Sequence, residues 1–233
     1  MPHEWFSIDE LARQLGRDRR EIERLASRGR LPAHKRGQDW QFHSAEITQW
    51  LEQEMREYSD SQLAALEVAQ ASPDIEADVP VTSLLKPELV EVPLEARTKR
   101  SVLESLIEVA GRTWQVWEPA TILKAVQERE KLHSTAFDNG VAIPHPRSPI
   151  PDAVGSSLVA FGRTSTGLPF GASNNSLSDC FFLVLCQDIR SHLQVVARLS
   201  RMFQLPDFLP DLRQAADSEA AYAVILSAEK QFG

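Results

Sequence analysis

The chain has 233 residues, of which 42% are hydrophobic and 25% are charged, and its formal net charge is −8. This length allows one large domain or two smaller ones, and the apolar share supports a sizeable core, which excludes general disorder. No apolar run is long enough to cross a bilayer, and the start, Met-Pro-His-Glu-Trp, lacks the features of a signal peptide. We therefore expect a cytoplasmic protein with no membrane partner.

The charge is unevenly distributed. Residues 1–56 carry ten Arg or Lys and ten Asp or Glu, so the acidic excess lies in residues 57–233. Between Arg13 and Arg36 nine basic residues face only three acidic ones. A basic patch on an acidic protein indicates a polyanion or an acidic partner for the first part of the chain.

The first thirty residues predict two short helices. Ser7 and Glu10 form a capping-box pattern, and Gly16 ends the apolar periodicity that follows. Asp18 opens a second capped segment, and Gly29 lies where a left-handed residue ends a helix. Two capped helices joined by a glycine turn fit a helix-turn-helix, whose second helix enters the major groove of DNA.

Residues 33–42 alternate around a glycine and predict a small hairpin, or wing, before a third helix that opens at Ser44. The second helix would read bases through Arg19, Arg20 or Arg24, while the wing and the helix arginines contact phosphates. Glu21 and Glu23 would repel phosphate, and an Arg- and Glu-rich helix is also typical of a solvated face. The candidate DNA-binding residues are Arg19, Arg20, Arg24, Arg28, Lys35 and Arg36.

Residues 5–51 resemble the excisionase and MerR-like winged helix-turn-helix modules. They share an aromatic entry, a helix, an Arg-Arg helix, Gly-Arg-Leu-Pro, a basic hairpin, an aromatic-x-aromatic segment and a helix near Trp-Leu. The resemblance implies a small, mainly helical DNA-binding domain, which we assign to residues 1–56.

Residues 57–79 are expected to form a linker that is first helical and then acidic. Residues 52–71 are rich in helix formers, with Leu63, Leu66 and Ala69 on the inner side. Residues 72–80 are acidic, bracketed by prolines and without periodicity, so the domain boundary is expected there. A helical spacer is also a plausible contact for a homodimer.

The rest of the chain alternates strands with helices and predicts an α/β domain at 80–233. Strands are expected at 89–94, 156–161 and 180–186, and helices at 98–110, 119–131, 193–203, 207–216 and 218–228. Cys180 and Cys186 would lie about 20 Å apart on one strand, beyond disulfide reach, so buried reduced thiols are expected.

Residues 140–145 read Gly-Val-Ala-Ile-Pro-His, and a second proline follows His145. Proline fixes its own φ and restricts the residue before it, so the histidine is held on a stiff backbone. The segment resembles the active-site segment of the type-2 IIA domains of the bacterial phosphotransferase system, the fructose, mannitol and nitrogen-regulatory branch. Further matches are Arg-Glu-Lys at 129–131, Ser-Thr at 134–135 and His-Leu-Gln-Val-Val at 192–196.

The resemblance implies a mixed sheet flanked by helices and a phosphorylated histidine at His145. It implies that an HPr-like phosphocarrier is the donor. His133, His145, His192 and Asp138 could be drawn as metal ligands, but without a close Cys/His pairing of zinc type we expect no metal and no cofactor. Arg129 would pair with the phosphoryl oxygens and His192 would add a donor, although each residue also fits a plain surface role. Phosphorylation adds about 1.5 to 2 negative charges, so supporting cations are required.

One departure bears on the chemistry. The family commonly has glycine after the active histidine, whereas Pro146 and Arg147 follow here, and Pro146 has no amide donor. Arg147 compensates by charge, or transfer is slower, or the pocket has become a binding site; these alternatives stay open. No zinc-type Cys/His pairing and no Walker sequence occur in the chain.

We interpret the chain as a regulator in which phosphorylation of His145 alters DNA or protein binding by the first domain. On that interpretation the protein is a phosphohistidine carrier. It counts as an enzyme, a phosphotransferase, only if His145 passes a phosphoryl group on. The alternative is a DNA-binding regulator whose second domain is a non-catalytic sensor. A third possibility is an adaptor whose first domain docks on protein.

Overall fold

The computed structural model describes residues 5–37, 39–70 and 81–232. The chain divides into two compact units, residues 1–78 and 79–233. The acidic boundary predicted at 72–80 lies outside the described residues.

The first unit is a small helical domain with a three-stranded antiparallel sheet in the order β1-β3-β2. Its elements are β1 (Trp5–Ser7), α1 (Ile8–Leu15), α2 (Arg19–Ser27), β2 (His34–Arg36), β3 (Asp39–His43), α3 (Ser44–Glu54) and α4 (Asp60–Gln70). The predicted helix-turn-helix, wing and third helix are confirmed. Strand β1 was not predicted.

Local hydrogen bonds explain the first two helices. The Ser7 hydroxyl accepts from the Glu10 amide at 3.3 Å, and the Glu10 carboxylate accepts from the Ser7 amide at 2.8 Å. The Asp18 carboxylate accepts from the Arg20 amide at 2.8 Å at the start of α2. Gly16 ends α1 with φ of +61°, a conformation that favours glycine. Both predicted helix starts are therefore confirmed.

Helix α4 packs within the first unit. Its Leu63 and Leu66 are buried, as the inner face predicted for this segment requires. The Gln70 side-chain amide donates to the Gln14 carbonyl at 2.7 Å, which ties the end of α4 to α1. The first part of the segment expected to be a linker thus contributes to the core of this unit.

The second unit is a mixed α/β domain around a four-stranded sheet in the order β4-β6-β7-β5. Strands β6 and β7 are antiparallel, while β4 pairs with β6 and β5 with β7 in parallel. The predicted fold class is confirmed. The elements are α5 (Val81–Leu84), β4 (Val90–Glu91), α6 (Lys99–Ala110), α7 (Pro119–Leu132), β5 (Val141–Ala142), β6 (Leu158–Pro169), β7 (Leu177–Leu185), α8 (Ile189–Met202), α9 (Phe208–Gln214) and α10 (Ser218–Glu229).

The central strands supply the core of this unit. Phe161 on β6 and Phe182 on β7 lie opposite each other with ring centroids 4.7 Å apart, and both are fully buried. Cys180 and Cys186 are free and buried, which confirms the expected thiols. Burial raises the pKa of the Cys186 thiol to about 12 and raises the pKa of Cys180 further.

Two element bounds differ from the sequence expectation. Strand β6 continues to Pro169, well beyond the predicted end at 161, because its register with β7 resumes at Leu168 after an irregularity. Helix α8 begins at Ile189 rather than at 193, because the Asp188 carboxylate caps it by accepting from the Ser191 amide at 2.9 Å.

The topology brings two chain segments to one edge of the sheet. Strands β5 and β7 are parallel neighbours, so their carboxyl ends lie side by side. The segment after β5 carries His145, and α8, which follows β7, carries His192.

Across the described ranges, no helix has both the length and the hydropathy that a bilayer span requires.

Candidate phosphoryl-transfer site

His145 is held by the backbone that extends β5. Val141 and Ala142 pair with Cys180 and Phe181 of β7. One step further the Pro144 carbonyl accepts from the Val184 amide at 3.0 Å. The neighbouring strand therefore fixes the chain up to the residue before His145, and proline geometry restricts it there.

The ring of His145 has a defined tautomer in its neutral form. Its Nδ1 lies 2.6 Å from the carbonyl oxygen of Ile143. A carbonyl can only accept a hydrogen bond, so Nδ1 carries the proton. The lone pair of the neutral ring is then on Nε2, the atom that would attack an electrophile.

His192 meets this ring from α8. The two ring centroids are 4.7 Å apart with an interplanar angle of 54°. His192 lies in the first turn of α8, and its amide donates to the Asp188 carbonyl at 3.2 Å. The structure thus brings together the two histidines that the sequence singled out, although they are 47 positions apart (192 − 145).

Arg129 lies in the last turn of α7 with 2% of its surface exposed. Its Nη1 donates to the His133 carbonyl at 2.8 Å, which closes the end of the helix. Arg129 lines an open cleft of about 540 Å³ together with Arg147, two residues beyond His145. Lys131 lines the same cleft, so three cationic side chains border it. The residues that line this cleft include the acidic Glu128 but not His145, so the compensation by Arg147 stays a prediction.

A buried carboxylate, for which the sequence predicted no role, stabilises the backbone beside His145. Glu130, with 2% of its side chain exposed, accepts from the Thr135 amide at 3.1 Å and pairs with Lys99 at 2.7 Å. The Thr135 carbonyl in turn accepts from the Ile143 amide at 3.3 Å. Glu130 therefore fixes the strand that holds Ile143, whose carbonyl orients the ring of His145.

The sequence did contain a signal for this support. Glu130 lies within the Arg-Glu-Lys match and Thr135 within the Ser-Thr match, so both belong to the segments that carry the resemblance. Lys99 lies 31 positions earlier (130 − 99), at the start of α6, and only the fold brings it to Glu130.

The turn before β5 is closed by a second ion pair. Gly140 has φ of +88°, and a Cβ there would lie 2.5 Å from Nη2 of Arg213. That nitrogen donates to the Asn139 carbonyl at 2.7 Å, and Arg213 Nε pairs with Asp179 at 2.8 Å. The Asp179 carboxylate raises the pKa of Arg213. Glycine is thus required where the guanidinium crosses the turn.

All six predicted DNA-binding residues are exposed, on α2, at its end or on the wing. Arg19 donates to Asp9 at 2.9 Å, a half-exposed pair that a phosphate could replace at small cost. Lys35 Nζ lies 5.2 Å from the ring centroid of Trp40. Of the two acidic residues on α2, Glu21 pairs with Arg17 at 3.2 Å.

Comparisons with known proteins found a matching family for each of the two units. Residues 83–228 match the family described as "Phosphoenolpyruvate-dependent sugar phosphotransferase system, EIIA 2", and residues 5–55 match a helix-turn-helix domain.

Among curated relatives, the nitrogen regulatory protein of Bradyrhizobium diazoefficiens is 30% identical over 149 residues, covering 63% of this chain and 95% of the relative. The PTS system fructose-specific EIIA component of Haloferax volcanii is 29% identical over 151 residues, covering 64% and 96%.

Two solved structures share the fold of the second unit. The nitrogen regulatory protein IIA-Ntr from Neisseria meningitidis aligns with a TM-score of 0.56 at 23% identity, over 62% of this chain and 98% of that one. Enzyme IIAMTL from Escherichia coli, in a complex with phosphorylated enzyme IIBMTL, aligns with a TM-score of 0.53 at 20% identity, over 62% and 99%.

Proposed function

The chain belongs to the EIIA 2 family of the phosphoenolpyruvate-dependent sugar phosphotransferase system, and from this we propose that Nε2 of His145 accepts a phosphoryl group from an HPr-like phosphocarrier protein. The observation that carries the proposal is the Nδ1 contact to the Ile143 carbonyl, which puts the lone pair of the neutral ring on Nε2. The 4.7 Å ring contact with His192 supports it.

The transfer conserves atoms and charge. The Nε2 lone pair forms a bond to phosphorus while the phosphorus–nitrogen bond of the donor's phosphohistidine breaks, and the donor imidazole leaves with that electron pair. The phosphoryl oxygens carry about two negative charges throughout. His192 and the cations of the cleft, Arg129 and Arg147, are the groups that would stabilise them.

We propose further that the state of His145 regulates DNA binding by the first unit, in the cytoplasm where donor and DNA meet. The helix-turn-helix match and the exposed arginines of α2 support DNA as its partner. One observation favours the alternative of a non-catalytic sensing domain: Pro146 is buried beside His145 and offers no amide to a phosphoryl group.

The test is labelling with a phosphorylated phosphocarrier and detection of acid-labile phosphate. The parent chain and a His133→Ala control should be labelled alike, because His133 is exposed and its hydrogen bonds with Arg129 are made by its backbone amide and carbonyl, which alanine keeps. His145→Ala should not be labelled. Equal labelling of His145→Ala and the parent would refute the assignment, and an unlabelled parent would favour the sensing alternative.

A second experiment compares binding of duplex DNA by the phosphorylated and the unphosphorylated parent chain. The proposal expects the apparent dissociation constant to change at least threefold. Identical binding curves would refute the coupling and leave the phosphoryl transfer untouched.

A further inference from the structure

Two tryptophans near the site face solvent. Trp114 is 87% exposed and Trp117 is 61% exposed. Trp114 also has φ of +61°, a left-handed conformation that is strained for a bulky residue. Exposing a large aromatic side chain on a strained backbone costs free energy. A surface that contacts only water gains nothing in return.

Hydrogen bonds tie this segment to the edge of the sheet that carries the site. Val116 bridges Val154, and the Trp117 amide donates to the Ala153 carbonyl at 2.9 Å. Gln187, between β7 and α8, donates to the Gly155 carbonyl at 3.0 Å. The tryptophans therefore border the edge from which His192 reaches His145.

Packing fixes the ring of Trp117. A Cβ on Gly155 would lie 2.8 Å from Cζ2 of that indole, so the ring packs against a glycine that leaves space for it. Trp117 is thus held in one orientation while most of its surface stays exposed. A fixed aromatic surface loses little entropy on binding, and tryptophan is enriched among residues that dominate protein interfaces.

We infer that Trp114 and Trp117 form a docking surface for the phosphocarrier protein that delivers the phosphoryl group to His145. This inference rests on the proposed function. A protein donor must bring its phosphohistidine to Nε2 of His145, and a standard interface covers about 800 Å² on each partner, roughly 30 Å across. Val184, which pairs with Pro144, is three residues or about 10 Å of extended chain from Gln187. The Gln187 side chain donates to Gly155, which packs against Trp117, so Trp117 lies within that span of Pro144.

Charge also fits this occupant. Arg147 and Arg190 are exposed on the two segments that carry the histidines, and Lys131 borders the cleft. A partner with a phosphoryl group of about two negative charges at its centre is attracted to this edge. The tryptophans then supply apolar contacts to the donor's surface beside its phosphohistidine.

The test measures initial phosphorylation rates against the concentration of phosphorylated phosphocarrier protein for Trp114→Ala, Trp117→Ala and the control Leu177→Ala. Leu177 is 54% exposed at the start of β7, the opposite edge of the sheet. Each tryptophan variant should raise KM about 10- to 100-fold with little change in kcat, because contacts made equally in ground and transition states are lost. Leu177→Ala should match the parent.

Phosphoramidate, a small phosphoryl donor, provides the second arm. The tryptophan variants should accept phosphate from it at the parent's rate, because no docking is involved. KM values with the protein donor that equal the parent's would refute the docking surface while leaving the proposed function intact. No labelling of the parent by either donor would refute both.

A Trp114→Gly variant excludes a structural explanation. Glycine relieves the left-handed strain, so the Tm should stay at or above that of the parent while KM rises as in Trp114→Ala. A lower Tm would show that Trp114 has a structural role, and an unchanged KM would show that it has no role in docking. Either result would remove Trp114 from the docking surface.

Discussion

Replacing Glu130 by glutamine keeps the shape of the side chain but removes the buried charge that supports the site. In the parent, the carboxylate pairs with Lys99 at 2.7 Å and accepts from the Thr135 amide and hydroxyl. A glutamine offers one acceptor oxygen and one donor NH₂ where the parent offers two acceptor oxygens to Lys99 and Thr135. Lys99 then loses its counter-ion and one donor contact of Thr135 is lost.

The expected cost follows from burial. Breaking a buried ion pair by removing one partner costs about 3–5 kcal/mol. Lys99 is 32% exposed and also donates to the Phe170 carbonyl at 2.8 Å, so it recovers part of that loss. We expect the free energy of unfolding of the second unit to fall by about 2–3 kcal/mol, which lowers its Tm by about 4–12 °C at about 2–4 °C per kcal/mol.

Thermal and urea unfolding followed by circular dichroism measure this effect, with Glu128→Gln as the control. Glu128 lies on the same helix but is exposed, so its variant should stay within about 0.5 kcal/mol of the parent. A Glu130→Gln variant with the same Tm and free energy of unfolding as the control would refute the proposed stabilising role of Glu130. Below its transition this variant should also accept phosphate about tenfold more slowly, because the Ile143 carbonyl no longer holds the ring of His145 as firmly.

Three further changes test other parts of the structure. Gly140→Ala should lower the free energy of unfolding by about 1–3 kcal/mol, since its φ of +88° is strained for alanine and the new Cβ displaces Arg213; urea unfolding measures it. The buried thiols of Cys180 and Cys186 stay protonated in the fold while unfolded thiols ionise, so the free energy of unfolding should fall as pH rises above about 9, at up to about 1.4 kcal/mol per pH unit per thiol, and a double alanine variant should lose this slope. In duplex-binding titrations, Lys35→Ala should reduce the slope of log affinity against log salt by about 1, whereas Arg24→Ala should cost about 1–3 kcal/mol on the preferred sequence alone if it reads a base.

Local signals predicted the helices of the first unit well. The caps at Ser7 and Asp18 depend on residues within three positions, so they can be read directly from the chain. Strand β1 has only three residues and exists because β3 pairs with it, which no local pattern reveals. The extension of β6 to Pro169 has the same cause, since its polar residues are strand only through their register with β7.

The candidate site residues could be named from the sequence only through the family resemblance. His145, His192 and Arg129 were expected on that ground, and the structure joins the two histidines directly. Lys99 and Glu130 could not be paired from sequence, because their contact depends on how α6 and α7 pack. The tryptophans were also missed, since exposure and backbone strain at Trp114 appear only in three dimensions.

The central claim, that Nε2 of His145 accepts the phosphoryl group, is tested most directly by identifying the atom that carries phosphate after labelling. Nitrogen-15 and phosphorus-31 NMR of the chain after incubation with a phosphorylated phosphocarrier distinguish the two ring isomers. The Nδ1 contact to the Ile143 carbonyl predicts a single product with phosphate on Nε2 of His145. Phosphate on Nδ1, or on a different residue, would contradict the account.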